Sequence, residues 1–396
     1  MSTRLQSLAL NLMLTAAGLV AAALVAELAL RATGFWYVSY HRPDPVLGLR
    51  LRAGAQGQYT TEGYAHVLVN SAGFRDRERA LPKPSGALRI AVLGDSYIEG
   101  LQVELEKTFP ALLERRLNEC GAFGGRPIEV LNFGVSSYGT AQELLTFRHY
   151  ASKYSPDLVL ATVFTGNDIR NNSRDLEPDK MRPFFVQQAG ALVLDSSFAD
   201  SEEFRRRTST LHEFFDTLRM LRVVQAAYFA KDRIEMASAA RPSPSNAAPS
   251  EAGLDDAVFA EPKTPAWRDA WAVTEQIFER FNQEVRASGA KLIVVSLSSG
   301  IQVHPDAEVR KRFQSSNQLG DVFYADRRIE SIANRLHIES IALAPELQRI
   351  AERDKVFLHG FANTRLGSGH WNEAGHSAAA ALVADKLCHR AANPAS

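Results

Sequence analysis

The sequence predicts an α/β protein, a parallel β-sheet covered by helices on both faces, behind an N-terminal membrane helix. Three observations point there. From Leu88 onward, short apolar runs alternate with longer stretches of helical pattern. Those short runs are largely apolar rather than apolar only at every second residue, as strands buried on both faces are. Ahead of them, residues 8–30 read "LALNLMLTAAGLVAAALVAELAL", apolar except for Asn11, Thr15 and Glu27. A helix of that length crosses a bilayer.

The elements follow in chain order. Arg4 precedes the apolar run and Arg31 closes it, so flanking charge does not set its orientation. A cleaved signal peptide is the alternative, with Ala21-Ala22-Ala23 offering small residues for cleavage. The run continues past those alanines to Leu30, so residues 1–35 are read as an uncleaved anchor. Residues 36–86, rich in Gly, Pro, Arg and Tyr, read as a juxtamembrane strand-and-loop segment. "LRIAVL" (88–93) is the first buried strand. Thr108 then stands where a helix cap would, before "FPALLERRLNEC", with Pro110 in the first turn and Gly121 just past the end. "IEVLNF" (128–133) is a strand, "TAQELLTFRHYASKY" a helix and "DLVLATVF" (157–164) a strand.

The alternation stops between Ile169 and about Pro265, so 170–264 is read as an insertion in a domain spanning 87–391. It contains one helix, "LHEFFDTLRMLRVVQAAYF", and a linker over about 237–264 whose "ASAARPSPSNAAPSEAG" is too poor in apolar residues to fold. The pattern resumes with the helix "AWRDAWAVTEQIFERFNQEVRASG" and the strand "KLIVVSL" (291–297). A last short strand, "KVFL" (355–358), precedes the loop "TRLGSGHWNEAGH", and "NEAGHSAAAALVADKLCHR" is the closing helix.

Composition limits the function classes. The chain has 396 residues, 45% of them hydrophobic, enough for a sizeable core. Lys plus Arg and Asp plus Glu each number 45, so no basic excess suggests a nucleic-acid partner. No CxxC or Cys/His tract suggests a metal, and no cofactor is expected. The two cysteines, Cys120 and Cys388, read either as buried thiols or as one disulfide, depending on compartment.

In an open parallel sheet, ligand sites form at the carboxyl ends of the strands. "GDSYIEG" follows the first strand and supplies Ser96; Gly134 follows the second; "TGND" follows the third and supplies Asn167 and Asp168; the loop after "KVFL" carries His370. A serine hydroxyl becomes a nucleophile when an adjacent base takes its proton, a role that suits His370. The charge that builds on an attacked carbonyl oxygen needs fixed donors. The backbone N–H groups of Ser96 and Gly134 and the Asn167 amide are candidates. Each residue also has a structural reading: Ser96 as a turn residue, Gly134 as a turn glycine, Asn167 or Asp168 as a helix cap, His370 as a buried core histidine.

The ordered set "GDS", "NFG", "GND" and "HWN..GH" resembles the SGNH (GDSL) hydrolase superfamily of esterases, lipases and acyl transferases over roughly 87–170 and 265–391. The resemblance implies a flavodoxin-like three-layer α/β/α fold, Ser96 as nucleophile, His370 as base, and Ser96 N–H, Gly134 and Asn167 as oxyanion hole. "VAELALR" beside the apolar helix is similar to membrane-anchored bacterial members, which implies a single-pass inner-membrane protein with a periplasmic catalytic domain. Members of the family carry Asp three residues before the base, and here that position is Gly367.

Three arrangements remain open: a Ser96–His370 dyad with a backbone carbonyl holding the ring, a carboxylate from elsewhere in the chain, or His376 as base with Glu373 three residues before it. The dyad is preferred. In a flavodoxin-like order the first and last helices cover one face, so a Cys120–Cys388 disulfide is expected outside the cytoplasm. The expected function is hydrolysis of acetyl or short-chain esters of envelope carbohydrate or lipid through an acyl-serine. The alternatives are acyl transfer to an exported polysaccharide and a catalytically silent glycan-binding protein.

Overall fold

The computed structural model describes residues 3–239 and 254–392. In chain order the strands are β1 (His41–Asp44), β2 (Gly48–Leu51), β3 (Gln56–Tyr59), β4 (Ala65–Leu68), β5 (Leu88–Gly94), β6 (Ile128–Gly134), β7 (Leu158–Phe164), β8 (Phe184–Gln188), β9 (Ala191–Asp195), β10 (Lys291–Leu297) and β11 (Glu339–Ala342). The helices are α1 (Thr3–Ala32), α2 (Ser96–Glu99), α3 (Phe109–Glu119), α4 (Thr140–His149), α5 (Asp168–Asn171), α6 (Glu202–Arg207), α7 (Thr210–Leu218) and α8 (Arg222–Ala239). They continue with α9 (Pro265–Ala287), α10 (Ala307–Ser316), α11 (Tyr324–Arg335), α12 (Ala344–Asp354) and α13 (Glu373–Ala392).

The described residues fall into two compact units, one within Met1–Ser39 and Arg206–Ala247, the other within Tyr40–Arg205 and Ala248–Ser396. The larger unit is built on a five-stranded sheet in the order β11-β10-β7-β5-β6, parallel throughout. Alternate strand residues feed two separate cores. Ala91, Leu93, Val159, Ala161 and Val294 pack with Leu144 and Leu145 of α4, Trp271 and Phe278 of α9 and Ile329 of α11. Ile90, Val92, Leu160, Ile293 and Val295 pack with Leu113 and Leu117 of α3, Leu347 of α12 and Val383 of α13. This double covering explains the unbroken apolar runs.

α3 and α13 lie side by side and run the same way. The Phe109 N–H donates to His376 Nδ1 (3.1 Å) at their first turns, and a Cys120–Cys388 disulfide joins their far ends. Eleven residues of α3 and twelve of α13 separate these ties, lengths that match at about 1.5 Å rise per residue.

The sheet departs from the sequence expectation at one edge. "KVFL" (355–358) forms no strand; it follows α12, and nearby only the isolated bridge His359–Trp371 pairs. The edge strand is instead β11, "ESIA", whose four residues are too few to show a period. The segment 36–86 forms two antiparallel hairpins, β1–β2 and β3–β4.

The insertion divides. Hairpin β8–β9 lays Phe185 into the α9 side of the core, and Val258 and Phe259, inside the stretch read as a linker too apolar-poor to fold, are buried there too, so the end of that stretch is part of the core. The linker's 240–253 lies outside the described residues. The long expected helix is broken at 219–221 into α7 and α8.

The smaller unit holds α1, α7 and α8. Its helix Gln6–Ala32 is long and apolar enough to cross a membrane, with mean hydropathy 2.2 over an 18-residue window none of which is buried. Near its end Glu27 accepts from the Val223 N–H (3.0 Å) and from Arg31 (2.7 Å), tying α1 to the start of α8.

Candidate active site

Ser96 opens α2 directly after β5. Asp95 caps the helix by accepting the Tyr97 N–H (2.9 Å). Burial pushes the Asp95 carboxyl up to about 6. Gly94 makes the turn feasible, because a Cβ there would lie 2.1 Å from Thr162 Oγ1 and 2.4 Å from Ile98. The Ser96 hydroxyl lies 2.8 Å from His370 Nε2. Two reactive groups separated by 274 residues therefore meet, as the strand-end argument expects.

The ring of His370 is held by a carboxylate that the sequence reading did not identify. His370 Nδ1 bonds Glu62 Oε2, and the His370 backbone N–H donates to Glu62 Oε1 (2.9 Å). Glu62 thus grips both ring and backbone of one residue. It sits in the loop between β3 and β4, in "TTEGY" of the segment read as a connector. Among the three open arrangements, this geometry is the carboxylate from elsewhere, and it displaces the preferred dyad.

The loop carrying His370 is itself braced. The Gly369 carbonyl accepts from Tyr97 Oη (3.1 Å) and from His359 Nδ1 (2.7 Å). His359 Nε2 bonds Ser298 Oγ (3.0 Å), which also accepts from Trp371 Nε1 (2.9 Å). Burial pushes His359 down to about 4, so it holds the loop as a neutral ring. The two glycines around Ser368 have steric reasons. Gly369 has φ +89° and a Cβ there would meet Glu62 Oε1 at 2.3 Å; Gly367 has φ +82° and a Cβ would meet the His304 ring at 2.8 Å. An aspartate at 367 has no room, and Glu62 approaches through the space that Gly369 leaves open.

Electrostatics follow the geometry. Burial alone would lower the His370 pKa, but the hydrogen bond and charge of Glu62 outweigh it and raise the ring above its ordinary value. Burial would raise Glu62, and its bond to His370 lowers it on balance. His376 is different: fully buried, with Nδ1 receiving the Phe109 N–H, it is pushed down to about 3 by burial and then by the Arg75 charge. Glu373 points away, paired with Lys107 (2.8 Å) and half exposed. That pair is no base.

Gly134 does not serve as drawn from the sequence. Its N–H donates to Asn132 Oδ1 (2.9 Å) and is buried. A Cβ at 134 would lie 2.4 Å from Glu99 N and 2.7 Å from the Ile98 carbonyl carbon. The glycine lets α2 sit on β6; it is a packing residue. Three positions further, Ser137 stands exposed with φ +68°. The N–H groups on either side are committed, Ser136 to Glu99 and Tyr138 to the Val135 carbonyl. That of Ser137 has no acceptor among the described residues.

Asn167 follows β7, beside β5, and heads α5 without any side-chain capping bond; its Oδ1 has no partner among the described residues. Asp168 is occupied instead, accepting the Phe164 N–H (2.8 Å). Glu99, also missed, is buried and bonds His41 Nε2 (2.8 Å) and the Ser136 N–H (3.1 Å), tying hairpin β1–β2 to the loop after β6.

No family profile matches the chain. Among curated proteins, an arylesterase of Vibrio mimicus is 32% identical over 82 residues, 21% of this chain and 39% of the relative. The chain thus matches about two fifths of that relative's length. Among solved structures, a variant of an acetyl xylan esterase from Geobacillus stearothermophilus aligns at 11% identity and TM-score 0.38, covering 76% of this chain and 95% of that one. A GDSL-like lipase from Bacteroides thetaiotaomicron aligns at 13% identity and TM-score 0.32, covering 79% and 93%. "GDS", "GND" and "HWN" stand in that order on a five-stranded parallel α/β sheet, the pattern by which the chain resembles the SGNH (GDSL) hydrolase superfamily.

Proposed function

We propose that the chain is a serine esterase that cleaves acetyl or short-chain acyl esters through an acyl-Ser96 intermediate. The observation that carries this reading is the continuous hydrogen-bond chain from Ser96 Oγ through His370 to Glu62. His370 Nε2 takes the hydroxyl proton as Oγ attacks the ester carbon. Glu62 fixes the tautomer that leaves Nε2 free to accept, and stabilises the imidazolium that forms. The carbonyl oxygen becomes an oxyanion facing the Ser96 N–H, the Asn167 amide and the Ser137 N–H, the last in place of Gly134. As the C–O bond to the alcohol breaks, His370 returns its proton to that leaving oxygen. Water, deprotonated by His370, then attacks the acyl carbon and releases the acid, restoring the Ser96 hydroxyl.

A short acyl group fits the surroundings. Tyr97 and Phe164 stack at 4.5 Å, and a Cβ on Gly166 would meet Phe164 at 2.5 Å and Leu254 at 2.8 Å. The space next to Asn167 is therefore filled by side chains. The Cys120–Cys388 disulfide and the apolar helix support a location outside the cytoplasm, anchored in the inner membrane with the catalytic unit in the periplasm. The alcohol portion is then an envelope carbohydrate or lipid.

Chromogenic esters of rising acyl length, assayed with wild type and Ser96→Ala, test the reading. Turnover that falls beyond short chains and vanishes in the variant is expected; equal turnover in the variant overturns it. Supplying a labelled acetyl ester with a glycan present separates hydrolysis, with label on free acetate, from transfer, with label on the glycan.

A further inference from the structure

We propose that α7 is an interfacial helix that lies in the surface of the bilayer beside the end of α1. The inference rests on the membrane-anchor reading of α1 and adds a second contact to it.

The nine residues of α7 are "TLHEFFDTL". Leu211, Phe214 and Phe215 fall at i, i+3 and i+4, one stripe of a helix, and all three are exposed, at 67%, 58% and 52%. The adjoining turn adds exposed Met220 and Leu221. Soluble proteins seldom leave such a run of large apolar side chains in water, and none of α7 is buried in its unit. The helix is nevertheless well made at its start. Ser209 caps it by accepting the His212 N–H (3.3 Å), so the stripe is presented by an ordered element.

Position identifies the occupant. α7 ends four residues before Arg222 and Val223, where the Val223 N–H is bonded to Glu27 in the last turns of α1. Glu27 and Arg31 pair there, with Glu27 buried and Arg31 exposed, and a charge pair at the end of an apolar span marks where it leaves hydrocarbon. The aromatic residues characteristic of that depth gather at the same joint. Trp36 lies under the Arg222 guanidinium (3.2 Å), Phe35 and Tyr37 pack edge-on against Phe229, and Tyr37 Oη donates to Asp232 (2.5 Å). Arg206 and Arg207 precede the stripe and Arg219 follows it, which suits anionic headgroups. An apolar stripe flanked by arginines, held at the level where a spanning helix ends, fits a lipid surface.

Depth-dependent quenching tests it on the full chain, whose two cysteines are both in the disulfide. Single thiols at Phe215→Cys (stripe), Glu213→Cys (opposite side) and Leu19→Cys (middle of the apolar span of α1) are labelled with an environment-sensitive fluorophore. The proteins are reconstituted in phosphatidylethanolamine/phosphatidylglycerol vesicles carrying nitroxide lipids near the headgroups or deep in the chains. The expected result is about twofold stronger quenching of the 215 label by shallow than by deep nitroxides, little quenching at 213, and deep quenching at 19. A 215 label that stays in water while the 19 label is deep overturns the interfacial helix and leaves the anchor standing. Shallow quenching at 215 with the 19 label in water upholds the interfacial contact and removes the anchor. Excimer formation between pyrene labels at 215, persisting as lipid is added, assigns the stripe to a second copy and also overturns it.

Discussion

The strand ends of the sheet and the β3–β4 hairpin both contribute to the site, but they are positioned by different means. Ser96 and Asn167 follow β5 and β7, which pair in parallel from Ile90–Leu158 to Leu93–Ala161. Their places are set by sheet register and by the two cores on either face. Glu62 belongs to a two-stranded hairpin outside that sheet and reaches His370 by a few side-chain bonds. Asn363 accepts the Gly63 N–H (2.9 Å) and donates to the carbonyls of Thr60 (3.0 Å) and Gly63 (3.2 Å). The difference teaches that the fold fixes Ser96 and a local clamp fixes His370. Catalysis and stability should therefore separate at the hairpin.

The largest effect belongs to the strand end. Ser96→Ala is expected to lower kcat by about 10⁴- to 10⁶-fold with thermal unfolding unchanged, measured on a short-chain ester. Residual turnover of wild-type size would mean another nucleophile. Glu62→Gln comes next, with kcat lower by about 10²- to 10⁴-fold. Its single amide oxygen cannot accept from both the backbone N–H and Nδ1, and an amide N–H facing Nδ1 places the proton on Nε2, where it cannot accept from Ser96.

The variant also has a pH signature. Turnover needs neutral His370, so kcat/KM rises as pH passes upward through the ring's pKa, which Glu62 holds above its ordinary value. Without that charge, burial is left to lower the ring, and the acid limb moves to lower pH. A limb that stays in place would detach Glu62 from the base.

This division also explains what was readable beforehand. Ser96, Asn167 and His370 stand in short motifs beside apolar runs or a helix start, so pattern and chemistry coincide. Glu62 lies 308 residues from His370 in a hairpin of four-residue strands, where neither period nor spacing links it to a histidine. Gly134 was misleading because a glycine required for helix–strand packing and one required at a ligand look alike in sequence. β11 and "KVFL" exchanged roles for a related reason: at four residues an edge strand and a half-buried coil carry the same signal. What did announce the missing acid was Gly367, a position whose φ and neighbours exclude the carboxylate the family pattern calls for.

A weaker test of the clamp is Asn363→Ala. It leaves Glu62 chemically intact and removes the bonds that hold its turn. A loss of about 10- to 10²-fold in kcat is expected, with the pH midpoint near that of wild type, since the carboxylate remains within reach. A midpoint shifted as far as in Glu62→Gln would show that Asn363 governs the charge contact itself and not merely its geometry.

The smallest catalytic effect belongs to the disulfide, and here the comparison should invert. Cys120 and Cys388 close a separation of 268 residues, and losing such a link costs about 2–4 kcal/mol of stability. The tie at the other end of the same two helices, from the Phe109 N–H to His376, is untouched by Cys120→Ser with Cys388→Ser. That tie adjoins the His370 loop, whereas the cysteines lie a helix length away, about 16 Å. The double variant should therefore unfold at lower temperature while keeping wild-type kcat and pH profile well below its melting point. Reduced kcat under those conditions would show that α13 transmits strain to His370, and the clamp would then extend beyond the hairpin into the packing of the sheet's covering helices.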